Sequence, residues 1–246
     1  MLDIVKLRNE LNEYYFANTQ VVWREKKPLQ EQFAELDRYA AAHPDLSALR
    51  LKTAQISILA DRFTPVVFRH SPFPSEMGLK YAESYGNDGA GTWMRNRNFH
   101  LFSDLDPVGF RQYRESSKAR VFESWSYPDF DHHVFPCTNV IENGLSFFYD
   151  KAVRLAAGTD DPSRKEFLDC AAECLLAVKK IAEKFAAAAA ELLPEAKDDA
   201  EKFCLNRLAA AGDVPWRKPA NFYEGLLAIW FLYEVRSEAR RVGKEC

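Results

Sequence analysis

Val214-Pro215-Trp216-Arg217-Lys218-Pro219-Ala220-Asn221-Phe222-Tyr223-Glu224-Gly225-Leu226-Leu227-Ala228-Ile229-Trp230-Phe231-Leu232 is the stretch from which the fold is read. Its prolines bound a short loop, because each fixes φ and withholds a backbone donor. Asn221-x-x-Glu224 has the form of a capping box, in which two polar side chains satisfy the free amides of a helix start. The helix that follows carries Phe222, Leu226, Leu227, Ile229, Trp230, Phe231, Leu232 and Tyr233, which go round its whole circumference. A helix apolar on all sides needs cover on all sides. The short basic tail after it cannot supply that cover, so the chain reads as physically unfinished.

Outward from this stretch the chain is helix-rich. Helices are expected over about Leu2–Asn18, Pro28–Ala42 and Ser47–Phe63, with Pro28 in a first turn and Pro44 as a stop. Thr64–Phe68 reads as a short extended piece. Residues 69–102 break all periodicity and hold Pro72, Pro74, Gly78, Gly86, Gly89 and Gly91 among aromatics, which suggests a functional or interface loop. Asp106-Pro107 opens a short helix. Asn139-x-x-Glu142 reads as a second capping box, with Gly158 as the helix stop. Asp161-Pro162 starts a long helix whose expected apolar stripe is Phe167, Ala171, Cys174, Val178, Ile181, Phe185 and Leu192. A shorter helix covers about Lys197–Ala210.

The 246 residues suffice for one large domain or two small ones. With 47% apolar and 28% charged residues, the composition is that of an ordinary globular protein. A net charge of −3 gives no reason to expect nucleic acid or an anionic membrane as partner. No apolar run is long enough to span a bilayer, and Met1-Leu2-Asp3-Ile4 lacks the pattern of a signal peptide. The five cysteines are scattered, so reduced thiols and a cytoplasmic location are expected.

Cys204 followed by the Val214–Leu232 stretch resembles "C…VP…PARTFYEALQALWFL" of the glycyl radical enzymes, the pyruvate formate-lyase superfamily. Two further stretches match in the same order. Ser71-Pro72-Phe73-Pro74-Ser75-Glu76 is similar to that family's "PxFPE" loop. Asp131–Leu145 is similar to its "GHTVPDYEKVLNKGL" stretch, with His132 in place of Gly and Cys137 in place of Asp. The resemblance implies a mainly α chain: the helical N-terminal part of a ten-stranded α/β barrel, with the barrel incomplete. Residues 1–236 are then the N-terminal portion of a pyruvate formate-lyase-like domain. Residues 237–246 are expected to be a non-native tail.

In such enzymes a radical-SAM activase makes a glycyl radical, which generates a thiyl radical on a catalytic Cys that attacks a small-molecule substrate. Arg241-Val242-Gly243-Lys244 only superficially resembles the "RVxG[FY]" radical loop, since Gly243 comes one position early and no aromatic follows. Neither radical element is expected here, so this chain is expected to have no catalytic residue, to bind no cofactor and to be inactive alone. The full-length parent would be a homodimer with a radical-SAM partner.

By the same alignment His133 is the residue expected to hydrogen-bond substrate hydroxyl or carboxylate groups. Imidazole donates or accepts near neutral pH. Arg95, with Arg97 and Asn98, lies in the Gly/aromatic loop and is a candidate carboxylate binder, against the alternative of a solvated loop. His100, His132, His133 and Cys137 fit no zinc spacing, so no metal is expected. Cys170-x-x-x-Cys174 lacks the third Cys of a radical-SAM cluster, as Ala177 stands there, and reads as core thiols. A second function stays open: a non-catalytic helical module that binds a protein partner through an apolar face.

Overall fold

The computed structural model describes residues 2–14, 27–74, 107–118 and 137–241. Among them the regular elements are helices: α1 Ile4–Asn12, α2 Lys27–Ala42, α3 Ala48–Arg62, α4 Pro107–Lys118, α5 Cys137–Ala157, α6 Pro162–Leu192, α7 Asp199–Ala210 and α8 Phe222–Arg241. A single 3-10 turn, Leu193–Glu195, links α6 to α7. No strand occurs among the described residues. None of the described helices is long and apolar enough to cross a membrane.

The helix starts are chemically specified. Asp3 accepts from the Lys6 amide, Ser47 from Arg50, Asp161 from Ser163 and Arg164, and Asp198 from Ala200 and Glu201. Each such cap stabilises a helix by about 1 kcal/mol, because it satisfies amides that have no partner within the helix. Ser47 and Asp161-Pro162 stand where the sequence places helix starts. At the far end of α3 the Lys184 ammonium donates to the carbonyls of Ala60, Asp61 and Phe63 at 3.2, 2.8 and 2.8 Å. A cation there meets both the orphan carbonyls and the negative pole of the helix.

Helix α6 is the axis of the fold and packs against α5, α3 and α7. One buried cluster joins Leu59, Ala60 and Phe63 of α3, Val140 and Leu145 of α5, Ile181 and Phe185 of α6, and Phe231 and Leu232 of α8. A second joins Ala189 to Leu205, Leu208, Val214, Leu227 and Ala228. Helix α8 therefore ties the two clusters together through successive turns. Small residues set the helix spacing: a Cβ on Gly212 would lie 2.6 Å from the Ala186 Cβ.

Two sequence expectations are corrected. On α6 only Ile181 and Phe185 of the expected stripe are fully buried; Cys170, Ala172, Ala177, Ala182, Ala186 and Ala189 complete the buried set. Phe167 is 58% exposed. Packing on several sides by three helices favours alanines over a simple stripe. Second, Asn139-x-x-Glu142 does not start a helix: α5 is already formed at Cys137, and the Asn143 side chain donates to the Asn139 carbonyl. The break comes at Gly144, with φ 75° and ψ 165°. Helix α8 is covered on one face only, in line with the expectation that the chain leaves it partly uncovered. Leu227, Ala228, Phe231 and Leu232 are buried, while Phe222, Leu226, Trp230 and Tyr233 face outward, Phe222 being 82% and Trp230 52% exposed.

Candidate functional site

The motif stretches, far apart in sequence, converge on the Val214–Leu232 segment at two places. Ser71–Pro74 lies against α8: Tyr223 Oη donates to the Pro72 carbonyl at 2.6 Å, and Trp230 Nε1 donates to the Pro74 carbonyl at 2.7 Å. The Phe73 ring packs on both aromatics, with centroids 5.8 Å from Tyr223 and 5.9 Å from Trp230. Burial pushes the Tyr223 hydroxyl well above its ordinary range, so it remains a neutral donor. These contacts combine apolar burial with satisfied polar tips, the arrangement that suits Tyr and Trp.

The second convergence is at Gly144. Leu145 and Ser146 amides donate to the Pro215 and Trp216 carbonyls, both at 2.9 Å. Those amides are the free donors of the helix that restarts after the break, and the Val214–Asn221 loop satisfies them. Trp216 itself is held by the Tyr149 ring, 5.3 Å away between centroids, and by the Lys179 ammonium at 5.1 Å. The Val214–Pro215 peptide bond is cis.

The loop is closed by charge. Arg217 donates to both Glu224 oxygens at 2.6 and 2.9 Å, and to Asp213 at 2.7 Å. Glu224 also accepts from the Ala220 amide at 2.7 Å, and the Glu224 amide donates to Asn221 Oδ1 at 3.0 Å. Asn221 therefore caps the helix as expected, while the Glu224 carboxylate reaches back one residue further, to the Ala220 amide, and takes Arg217 as its partner. Hydrogen bonds from Arg217 pull the Glu224 carboxyl down to about 2 from its ordinary 4.5. A carboxyl depressed in the folded state stabilises the fold fully above its unfolded value, and that contribution is lost as pH falls through the folded value. Glu224→Gln is thus expected to lower the urea midpoint at neutral pH. It is also expected to flatten the loss of stability between about pH 4.5 and 2. Parallel acid-side slopes in the two proteins would contradict the assignment.

A separate polar cluster lies where α1, the turn before Ser71 and α7 meet. His70 and Glu201 are both 5% exposed. His70 Nδ1 lies 2.8 Å from Glu10 Oε1, and Nε2 faces Asp198 Oδ2 at 3.6 Å and Glu201 Oε1 at 4.0 Å. Sequence reasoning missed this cluster. His70 and Glu10 are 60 positions apart, and no local pattern marks either. Nearby Cys204 is fully buried, and burial pushes its thiol up to about 11, so it is a core thiol and not a nucleophile.

Residues 95–238, more than half of the chain, match the family model described as pyruvate formate lyase-like. The chain belongs to this family of glycyl radical enzymes. Two solved structures share its fold. One is the glycerol-bound B12-independent glycerol dehydratase from Clostridium butyricum, with 12% identity, a TM-score of 0.59, 90% of this chain covered and 34% of that one. The other, from a study of 1,2-propanediol dehydration in Roseburia inulinivorans, has 13% identity and a TM-score of 0.56, covering 87% of this chain and 32% of that one. The chain spans about a third of the length of these two structures. No curated protein matches it.

The mainly α architecture agrees with the expected helical part of the glycyl radical enzyme barrel fold. The family's motif positions in Ser71–Pro74, Val140–Leu145 and Val214–Leu232 form the two junctions described above. His133 and Arg95, expected to bind substrate, lie outside the described residues, as do Arg97, Asn98, His100 and His132. Cys137 opens α5, half-buried, with a free thiol. Cys170 is a buried core thiol of α6; Cys174 is half-buried, its thiol 3.9 Å from Thr53 Oγ1.

Proposed function

We propose that this chain supplies the helical shell of a glycyl radical lyase, and that the loops carrying the catalytic Cys and the radical Gly belong to the rest of that enzyme. The observation that carries the reading is the outward stripe Phe222, Leu226, Trp230 and Tyr233 on α8, in a chain that matches the family over residues 95–238. Exposed aromatics at helical spacing require a partner surface. In this reading the barrel of the same enzyme covers them, and the junctions at Phe73 and Gly144 hold α8 at the angle that presents them.

His133 contacts a hydroxyl or carboxylate of the substrate, and Arg95 a carboxylate. The parent is a dehydratase- or decarboxylase-like member and not a formate acetyltransferase; its neighbours in fold include a glycerol dehydratase, and His133 suits a hydroxylated substrate. The radical would supply hydrogen-atom abstraction. A radical-SAM activase would install it, and the parent would be a cytoplasmic homodimer. Alone, the chain is inactive, and residues 237–246 take no part.

Activation tests the reading. The 246-residue chain and the longer polypeptide built on it are each incubated without oxygen with the activase, S-adenosylmethionine and a reductant. Radical formation and diol dehydration are expected in the longer polypeptide only. The same exposed stripe would serve a free-standing module that binds a protein partner, and a longer polypeptide that never acquires a radical would favour that alternative.

A further inference from the structure

Among the described residues, His70 presents a buried nitrogen with no hydrogen-bond partner. With Glu10 as a carboxylate, Glu10 Oε2 accepts the His70 amide at 3.1 Å and Oε1 pairs with Nδ1 at 2.8 Å. A carboxylate only accepts, so Nδ1 carries a hydrogen; in the neutral ring that leaves a lone pair on Nε2. Nε2 has no hydrogen-bond partner among the described residues, and the side chain is only 6% exposed.

The groups it faces are turned toward it by their own anchors. Asp198 Oδ1 caps α7, and Oδ2, which accepts from the Lys6 ammonium at 2.6 Å, lies 3.6 Å from Nε2. Glu201 Oε2 accepts from the Lys197 amide at 2.8 Å, which leaves Oε1 directed at Nε2, 4.0 Å away. Glu10, His70 and Glu201 bring ligand atoms within 4.8 Å of one another. Lys6 pairs with the partly exposed Asp198 Oδ2 and Arg69 approaches Glu201 Oε2, but neither is bonded to Nε2, so a lone pair there would face Glu201 Oε1 unless a cation lies between them.

The cation between Nε2 and Glu201 Oε1 is either a proton on Nε2 or a metal ion. The separations are too long for N–H···O bonds. They are near the spacing of ligands on one tetrahedral ion, about 3.4 Å for bonds of about 2.1 Å. Glu10 on Nδ1 is the carboxylate partner that a metal-binding imidazole commonly has, and it fixes the tautomer that frees Nε2.

We propose that His70 Nε2, Glu201 Oε1 and Asp198 Oδ2 bind a divalent cation of the zinc type, with Glu10 as the positioning residue. The ion ties α1, the 69–74 turn and α7 together, and its role is structural. Lys6, whose ammonium lies 2.6 Å from Asp198 Oδ2 with half its side chain in solvent, balances that carboxylate without the metal and swings away when it binds. Arg69, 3.6 Å from Glu201, approaches Oε2 and leaves Oε1 to the ion. The inference is independent of the radical chemistry.

The test is titration of the chelator-treated 246-residue chain with zinc chloride and cobalt chloride. About one equivalent is expected to bind and to raise Tm, and cobalt is expected to give the visible bands of a tetrahedral nitrogen-oxygen site. His70→Gln and Glu201→Gln are expected to abolish the bands, Glu10→Gln to weaken binding about 10–100-fold, and His43→Gln, at an exposed histidine, to change nothing. Should either ligand variant fail to fold, the wild-type cobalt spectrum and stoichiometry decide alone. Absence of stoichiometric binding, or binding that survives His70→Gln, would overturn the assignment and leave a proton on Nε2 as the cation of the site.

Discussion

Gly144→Ala is expected to cost about 3 kcal/mol or more and to lower the urea midpoint sharply. Two penalties add. A φ of 75° costs a residue with a Cβ about 1–2 kcal/mol. The new Cβ would also stand 2.6 Å from the Lys218 amide nitrogen and 2.7 Å from both the Arg217 carbonyl carbon and the Trp216 carbonyl oxygen. Those atoms are backbone, so no side chain can rotate away, and overpacking of this kind costs about 1–3 kcal/mol further. Relief would require the loop to withdraw, which breaks the Leu145 and Ser146 bonds to Pro215 and Trp216. Against a total stability of roughly 5–15 kcal/mol, the loss is large. Gly158→Ala is the control, because its Cβ meets nothing nearer than 3.6 Å. Urea unfolding followed by circular dichroism compares them. A change below about 1 kcal/mol for Gly144→Ala would contradict the strained, backbone-packed break.

Phe185→Ala is the second large effect, expected to cost about 3–5 kcal/mol. Phe185 is 1% exposed and sits in the cluster that joins α3, α5, α6 and α8. Its ring lies 5.8 Å from that of Phe63 between centroids. Truncation removes buried apolar area and leaves a cavity that four helices cannot all close upon. Phe167→Ala, on the same helix, is expected to cost less than about 1 kcal/mol, because that side chain is mostly in solvent. The pair separates the observed packing from the stripe read off the sequence, in which both residues are core. Equal losses at the two positions would restore that stripe.

The contrast between these phenylalanines shows what was legible. Ser47, Asp161-Pro162 and the Asn221–Glu224 box act within a few residues of themselves, so their helix starts could be read locally. The order of three motif stretches was likewise visible, and it led to the family that the 95–238 match bears out. Gly144 was not legible as a break, because its energy comes from carbonyls some seventy positions away. The Asn139 box misled for a local reason: α5 already runs from Cys137, so Asn139 lies inside a turn whose carbonyl the Asn143 side chain takes. The alanines that line α6 carry no periodic signal of their own, and only the three helices packed on α6 make them core. The His70 cluster draws on α1, a turn and α7, so no window of sequence contains it. His133 and Arg95 belong to stretches outside the described residues, and their roles stay with the proposal.

The central claim is that this chain is shell and that the radical machinery lies elsewhere in the enzyme. Electron paramagnetic resonance during the activation experiment tests it most directly. The account predicts the split signal of a glycyl radical in the longer polypeptide and no radical signal in the 246-residue chain. A glycyl radical formed on the 246-residue chain itself would contradict it.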